Sequence, residues 1–169
     1  METTTRVNTR YLVHAALIAA LYVTLTYLAG LMNLAYGPVQ FRFSEALTVL
    51  PFLLPEAVPG LFIGCVVSNL ISPYGALDLV VGSLATLLAA LWTGKCRRRC
   101  LAPLPPVICN AALVGALIAW YEAGLGAGFA PALAYNALTV GVGEAAVCYL
   151  LGLPLLRVLE SRGVIRTKA

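Results

Sequence analysis

Gly37-Pro38-Val39-Gln40-Phe41-Arg42-Phe43-Ser44-Glu45-Ala46-Leu47-Thr48-Val49-Leu50-Pro51 is the stretch on which the reading of the chain turns. Strongly apolar segments flank it, yet it carries Gln40, Arg42, Ser44 and Glu45 within six residues. Arg42 is the only lysine or arginine between Arg10 and Lys95. A proline-opened, charged loop at such a point is either a solvated connection or the polar floor of a ligand site, and the rest of the chain must decide.

Composition sets the environment. The 169 residues are 61% hydrophobic and only 11% charged, where a soluble domain averages about 45–50% apolar and about 25% charged. Too little polar surface exists to cover a water-soluble globule, so the chain is read as an all-α integral membrane bundle forming one transmembrane domain over residues 1–169. The net charge of +4 does not point to nucleic acid, because the basic residues cluster at segment ends, where membrane topology accounts for them. The apolar run 11–34 follows Arg6 and Arg10 and exceeds a signal-peptide core of about 7–15 residues, so it reads as a first span.

The spans follow from length, proline and charge. A crossing helix needs about 20 residues. Pro51, Pro55 and Pro59 break residues 45–71, since proline removes a helix hydrogen bond and clashes with the preceding turn. Placing Lys95, Arg97, Arg98 and Arg99 on the side of Arg6 and Arg10 demands an even number of spans between them. Residues 45–54 and 58–71 are therefore taken as two short helices. The six expected spans are about 11–31, 45–54, 58–71, 78–94, 105–121 and 131–156. Both termini are then cytoplasmic in a multi-pass cell-membrane protein, ten of the eleven basic residues lie inside, and Arg42 lies outside.

Ionisable groups inside a bilayer are expensive, about 2.5–3.5 kcal/mol at its centre on insertion scales, and tend to mark function. Glu144, in Gly141-Val142-Gly143-Glu144 at mid-span, is the clearest case. Its alternative role is a helix-to-helix contact. Asp78 reads equally as a helix-start acid, and Ser44 with Glu45 as a cap and first-turn acid. With Arg42 and Gln40 these groups gather at one end of the bundle. Asn69 and Asn110 suit interhelical hydrogen bonds as well as ligand contacts. Glu56, Glu122 and Glu160 read as solvated, and Trp120 with Tyr121 as an interfacial aromatic belt. In the first span, Ala15/Ala19 and Ala16/Ala20 are small-residue pairs that permit close helix approach.

The sequence lacks a phosphate-binding Gly-x-x-x-x-Gly-Lys-[Ser/Thr] loop, a His-Glu-x-x-His motif and a Gly-x-Ser-x-Gly elbow. Cys96 and Cys100 flank a basic loop without two further ligands nearby, so no metal site is expected. Nor is any cofactor or catalytic residue expected.

Four segments in order resemble the QueT family of proposed queuosine-precursor transporters. They are 37–52 (GPVQFRFSEALTVLPF), 78–91 (DLVVGSLATLLAAL), 102–115 (APLPPVICNAALVG) and 141–156 (GVGEAAVCYLLGLPLL), and the likeness runs from about Arg10 to Glu160. The resemblance implies the substrate-binding S component of an energy-coupling factor transporter, a six-helix protein that binds a solute from outside. It implies a 7-deazaguanine ligand, in nitrile or aminomethyl form. It also implies docking on a transmembrane coupling protein with two cytoplasmic ATPases.

By that resemblance the pocket draws on the loop after helix one and the outer halves of helices four to six. The candidate binding residues are Gln40, Arg42, Glu45, Asp78, Asn110 and Glu144. The small-residue face implied to meet the coupling protein maps onto Ala15, Ala16, Ala19 and Ala20. A carboxylate can accept both N–H donors of a deazaguanine edge, which makes Glu144 the candidate reader of that edge. Arg42 could donate to the carbonyl, and Asp78 or Glu45 could hold a cationic aminomethyl group. The alternatives are an S component for another vitamin or nucleobase, a small intramembrane enzyme using Glu144 and Asp78, or a purely structural membrane protein.

Overall fold

The computed structural model describes residues 8–35 and 39–162, so Arg6, Gly37, Pro38, Arg166 and Lys168 lie outside the described residues. The chain is helical, with no strand among the described residues. Four helical stretches are long and apolar enough to cross a membrane, Thr9–Leu31, Gly75–Thr93, Arg99–Ala123 and Phe129–Ser161, and two shorter apolar helices, Phe43–Phe52 and Ala57–Asn69, accompany them. The protein is a six-helix membrane bundle.

Helix α1, Thr9–Leu31, starts where the Asn8 side chain accepts from the Arg10 amide at 3.1 Å. It ends where Asn33 takes a left-handed turn with φ 56°, a conformation asparagine tolerates better than most residues. Ala15, Ile18, Tyr22, Thr26 and Ala29 recur at helical spacing as its buried face, while Leu12, Val13, Leu17, Leu21 and Leu28 point outward. In a membrane that outer face meets lipid.

Next in the chain is a ten-residue 3₁₀ helix, Phe43–Phe52, with Ser44 to Pro51 all buried. Runs of this helix beyond three or four residues are uncommon. Here the segment threads between α1 and the helices beyond it, so packing on all sides sets its geometry. The rise of about 2.0 Å per residue stretches ten residues over about 20 Å, where an α-helix covers about 15 Å. Pro51 has no N–H to place, and Thr48 caps the Glu45 carbonyl with its hydroxyl at 2.6 Å. Leu47 and Leu50 join Ile18, Tyr22, Leu61 and Cys65 in one core; Val49 and Leu53 join Ala102 and Leu156 in another.

Helix α2, Ala57–Asn69, lies against α1 at very short range. A Cβ on Gly60 would come within 2.6 Å of the Ala15 carbonyl, and one on Gly64 within 2.8 Å of Tyr22 Cβ. The Ala15/Ala19 pair therefore has its close-packing partner inside this chain, in the two glycines four residues apart on α2. Ala16 and Ala20 are exposed on the other side of α1.

Helix α3, Gly75–Thr93, carries a polar stripe of Asp78, Gly82 and Thr86 at steps of four on its buried face. The fifth crossing is built of α4, Leu104–Cys109, a π-helical turn, Asn110–Val114, and α5, Gly115–Ala123. It stops at Gly124, φ +59°. The sixth is α6, Phe129–Val147, a second π turn, Cys148–Gly152, and α7, Leu153–Ser161. Pro154 would clash with the carbonyl of Leu150 in a regular helix, and the wider π turn before it relieves that clash.

Contacts mark the two ends of the bundle. At one end Tyr121 donates to the Tyr74 carbonyl at 2.5 Å and Asn136 to Glu122 at 2.7 Å. At the other, His14 meets Glu56 at 2.8 Å and Arg99 meets Glu160 at 2.6 Å. Glu122 is exposed, as expected, and Glu56 and Glu160 are half-buried; each also holds a partner, and the three contacts tie neighbouring segments together.

Candidate functional site

Beyond the end of α1, the Phe41 amide donates to the Leu34 carbonyl at 2.9 Å. Gln40, Arg42 and Glu45 meet Gly82 and Thr86 of α3, Asn110 and Val114 of the first π turn, and Glu144 of α6 around one small cavity of about 10 Å³. That is room for about one water molecule. Gln40, Arg42 and Glu45 of this stretch are buried against that cavity and not spread in solvent.

The charges in this site are far from water. Arg42 is 7% exposed, Glu45 2%, Asp78 0% and Glu144 5%. Buried ions persist only when paired and hydrogen-bonded. Arg42 donates through Nε to the Ala35 carbonyl at 3.2 Å, and its Nη2 lies 3.7 Å from Asp78 Oδ2. Asp78 Oδ2 also accepts from Ser72 at 2.5 Å, and its backbone carbonyl from Asn69 at 3.1 Å. Tyr22 donates to Glu45 Oε1 at 2.5 Å. Cys148 sits within 3.6 Å of Glu144 Oε1 and donates to the Glu45 carbonyl at 3.3 Å. Glu45 is the carboxyl neighbour of Glu144.

Some valences remain open. Gln40 Nε2, Glu45 Oε2 and Asp78 Oδ1 are buried and have no hydrogen-bond partner among the described residues. Leaving such a group unpaired costs about 1–3 kcal/mol. Gln40 and Glu45 both line the cavity, so one residue with an open donor and one with an open acceptor border it. Gly143 makes the approach possible, because an added Cβ there would collide with the Gln40 carbonyl.

Five of the six candidate residues, Gln40, Arg42, Glu45, Asn110 and Glu144, converge on the cavity. Asp78 stands behind it, holding Arg42. The Glu144–Asp78 pairing considered for an enzyme is not the neighbouring pair; Glu144 faces Glu45 instead. Gly82, Thr86, Val114 and the Tyr22 hydroxyl were not singled out from sequence. The steps from Asp78 to Gly82 to Thr86 were a readable signal, since residues four apart share a helix face.

Above this site, the Tyr74 and Tyr121 rings pack at 5.4 Å and Trp120 lies edge-on to Tyr121. Burial, with Glu122 and Asp78 nearby, pushes the Tyr74 phenol above its ordinary range, so it stays neutral. No group of three or more His, Cys, Asp or Glu able to hold a metal occurs among the described residues.

Residues 12–161 match the family model described as QueT transporter. The chain belongs to the QueT transporter family. It is also similar to the queuosine precursor transporter QueT of Lactococcus lactis subsp. cremoris (strain MG1363), 43% identical over 76 residues. That alignment covers 45% of this chain and 44% of the relative, less than half of either. No solved structure matches the chain. QueT membership fits a membrane bundle whose conspicuous polar feature is a cavity shaped by a charged loop.

Proposed function

We propose that this chain is the solute-binding membrane subunit of an energy-coupling factor importer for a 7-deazaguanine queuosine precursor. A partner coupling protein and two ATPases supply the energy, and the chain performs no chemistry of its own. The observation that carries this reading is the convergence of Gln40, Arg42, Glu45, Asn110 and Glu144 on one buried cavity, with Gln40 Nε2 and Glu45 Oε2 unpaired.

A deazaguanine offers adjacent N–H donors on its pyrimidine edge and a carbonyl acceptor beside them. Glu144 and Glu45 bring acceptors to the cavity, and Arg42 and Gln40 bring donors. In a low-dielectric site these contacts are far stronger than in water. Asp78 neutralises Arg42 from behind, so the cavity need not carry an unbalanced cation. Entry of a bicyclic base requires segment 39–42, which has no helical structure of its own, to swing outward.

The charge pattern supports cytoplasmic termini in the cell membrane, with the Arg42 end outside. Uptake then begins at the outer face. Ala16 and Ala20, exposed on α1, are the small residues open to a coupling protein, whereas Ala15 and Ala19 are engaged with α2. Mass spectrometry of small molecules co-purifying with the chain tests the assignment. Retention of an unaltered 7-deazaguanine is expected; retention of a different vitamin or base reassigns the solute, and release of a chemically altered product contradicts the transport reading.

A further inference from the structure

At the end of the bundle opposite Arg42, basic residues form a groove and not merely a fringe. Arg98, Arg99, Cys100, Leu153 and Arg157 line an open space of about 430 Å³. Its first wall is the connection after α3, where Arg98 is extended (φ −116°, ψ 134°) ahead of the short turn Arg99–Leu101. Thr93 donates to the Ala102 carbonyl at 3.2 Å and pins that turn to α3. Its second wall is α7, where Leu153 and Arg157 are four residues apart and share a face.

Arg99 joins the two walls through its 2.6 Å ion pair with Glu160. That pair also uses up the neighbouring acid. Arg98 and Arg157 are exposed and make no ion pair among the described residues. With one guanidinium neutralised, the groove presents two others to a ligand. Paired guanidinium groups suit a phosphate diester, which can accept several charge-assisted hydrogen bonds at once.

The groove runs into an apolar wall. Tyr149 lies one turn before Leu153 on the same face and neighbours Cys100. Leu150 and Leu151, which follow Tyr149 in the chain, and Leu101, which follows Cys100, are exposed. On a membrane-spanning helix these side chains meet acyl chains, so the arginines sit where headgroup gives way to hydrocarbon. Basic pockets between spanning helices at this depth are suited to anionic headgroups.

We propose that this groove binds one anionic glycerophospholipid. Arg98 and Arg157 hold its phosphodiester, Arg99 is placed by Glu160, and an acyl chain lies along Leu153 and Tyr149. A zwitterionic lipid would bring an ammonium group to a site whose adjacent carboxylate among the described residues, Glu160, is already bound to Arg99. A free phosphate would leave the apolar wall unused.

The test is native mass spectrometry of the full chain in detergent, titrated with phosphatidylglycerol and phosphatidylcholine. The expected result is one retained phosphatidylglycerol, favoured about tenfold or more over phosphatidylcholine. The double variant Arg98→Gln/Arg157→Gln should lose that preference while melting like wild type. Arg97→Gln, exposed and outside the groove, should keep it. Equal retention of the two lipids, or an undiminished preference in the double variant, overturns the proposal. Displacement of the lipid by millimolar inorganic phosphate would make the groove a free-anion site instead. Lost uptake with unchanged lipid retention would assign it to an acidic protein partner. Solute binding in the cavity should be unaffected by the double variant, so this test fails or succeeds apart from the transport reading.

Discussion

The Tyr22 hydroxyl donates to Glu45 Oε1 at 2.5 Å, from the second buried turn of α1 to the first turn of the 3₁₀ helix. It occupies one carboxylate oxygen and leaves Oε2 unpaired. A residue of the apolar first helix thereby sets the orientation of an acid in the site. A hydrogen bond to a charged group contributes about 1.5–3 kcal/mol. Tyr22→Phe should therefore weaken solute binding about tenfold or more while preserving the helix packing. Equilibrium binding and thermal melting of the purified variant check both halves of that expectation.

Gly143 sets how closely the loop approaches α6, because a Cβ there would collide with the Gln40 carbonyl. Overpacking of this kind costs about 1–3 kcal/mol, and the loop is the element that can yield. Gly143→Ala should lower solute affinity about tenfold or more and should also lower the melting temperature. Gly126→Ala, whose Cβ would meet only the Ala123 carbonyl at 3.8 Å, should bind like wild type. Binding isotherms of the two variants side by side provide the comparison.

Much of this site was visible as cost. Glu144 at mid-span, Arg42 far from the other cations and Asn110 in an apolar run all stood out because a bilayer penalises them, and all line the cavity. Tyr22 did not stand out. A tyrosine in an apolar helix costs little, and only the fold brings it to an acid 23 residues away. The same limit applies to Ala15 and Ala19: their spacing announces a close neighbour, but Gly60 and Gly64 could be named only once α2 was in place. Nor does periodicity distinguish a 3₁₀ helix from an α-helix over ten apolar residues. Burial of Ser44 to Pro51 on every side decides that.

The two faces of α1 should respond differently to bulk. Gly60→Leu, opposite the Ala15 carbonyl at 2.6 Å, should separate α1 from α2 and lower stability by about 1–3 kcal/mol or more. Ala16→Leu/Ala20→Leu alters an exposed face and should leave melting and solute binding unchanged while reducing uptake by cells that carry the coupling proteins. Parallel melting, binding and uptake assays separate internal packing from partner docking. Equal loss of binding and uptake in the alanine variant would place those alanines in the protein's own core.

The orientation inferred from charge is open to labelling. In a background lacking other cysteines, Gly126→Cys should react with an impermeant thiol reagent added outside cells. Cys96, beside the arginine-rich turn, should react only after permeabilisation. The reverse pattern would invert the topology and place the Arg42 end of the cavity in the cytoplasm.

The central claim is that Glu144 reads the solute. Calorimetry of a 7-deazaguanine queuosine precursor binding to wild type and to Glu144→Gln tests it most directly. Glutamine keeps the shape but replaces one acceptor with a donor, so an N–H of the base would face an N–H of the protein. An unpaired polar group at a buried site costs about 1–3 kcal/mol, and affinity should fall about ten- to hundredfold in a variant that still melts like wild type. Unchanged affinity in that folded variant would contradict the account and leave Glu144 as a contact between helices.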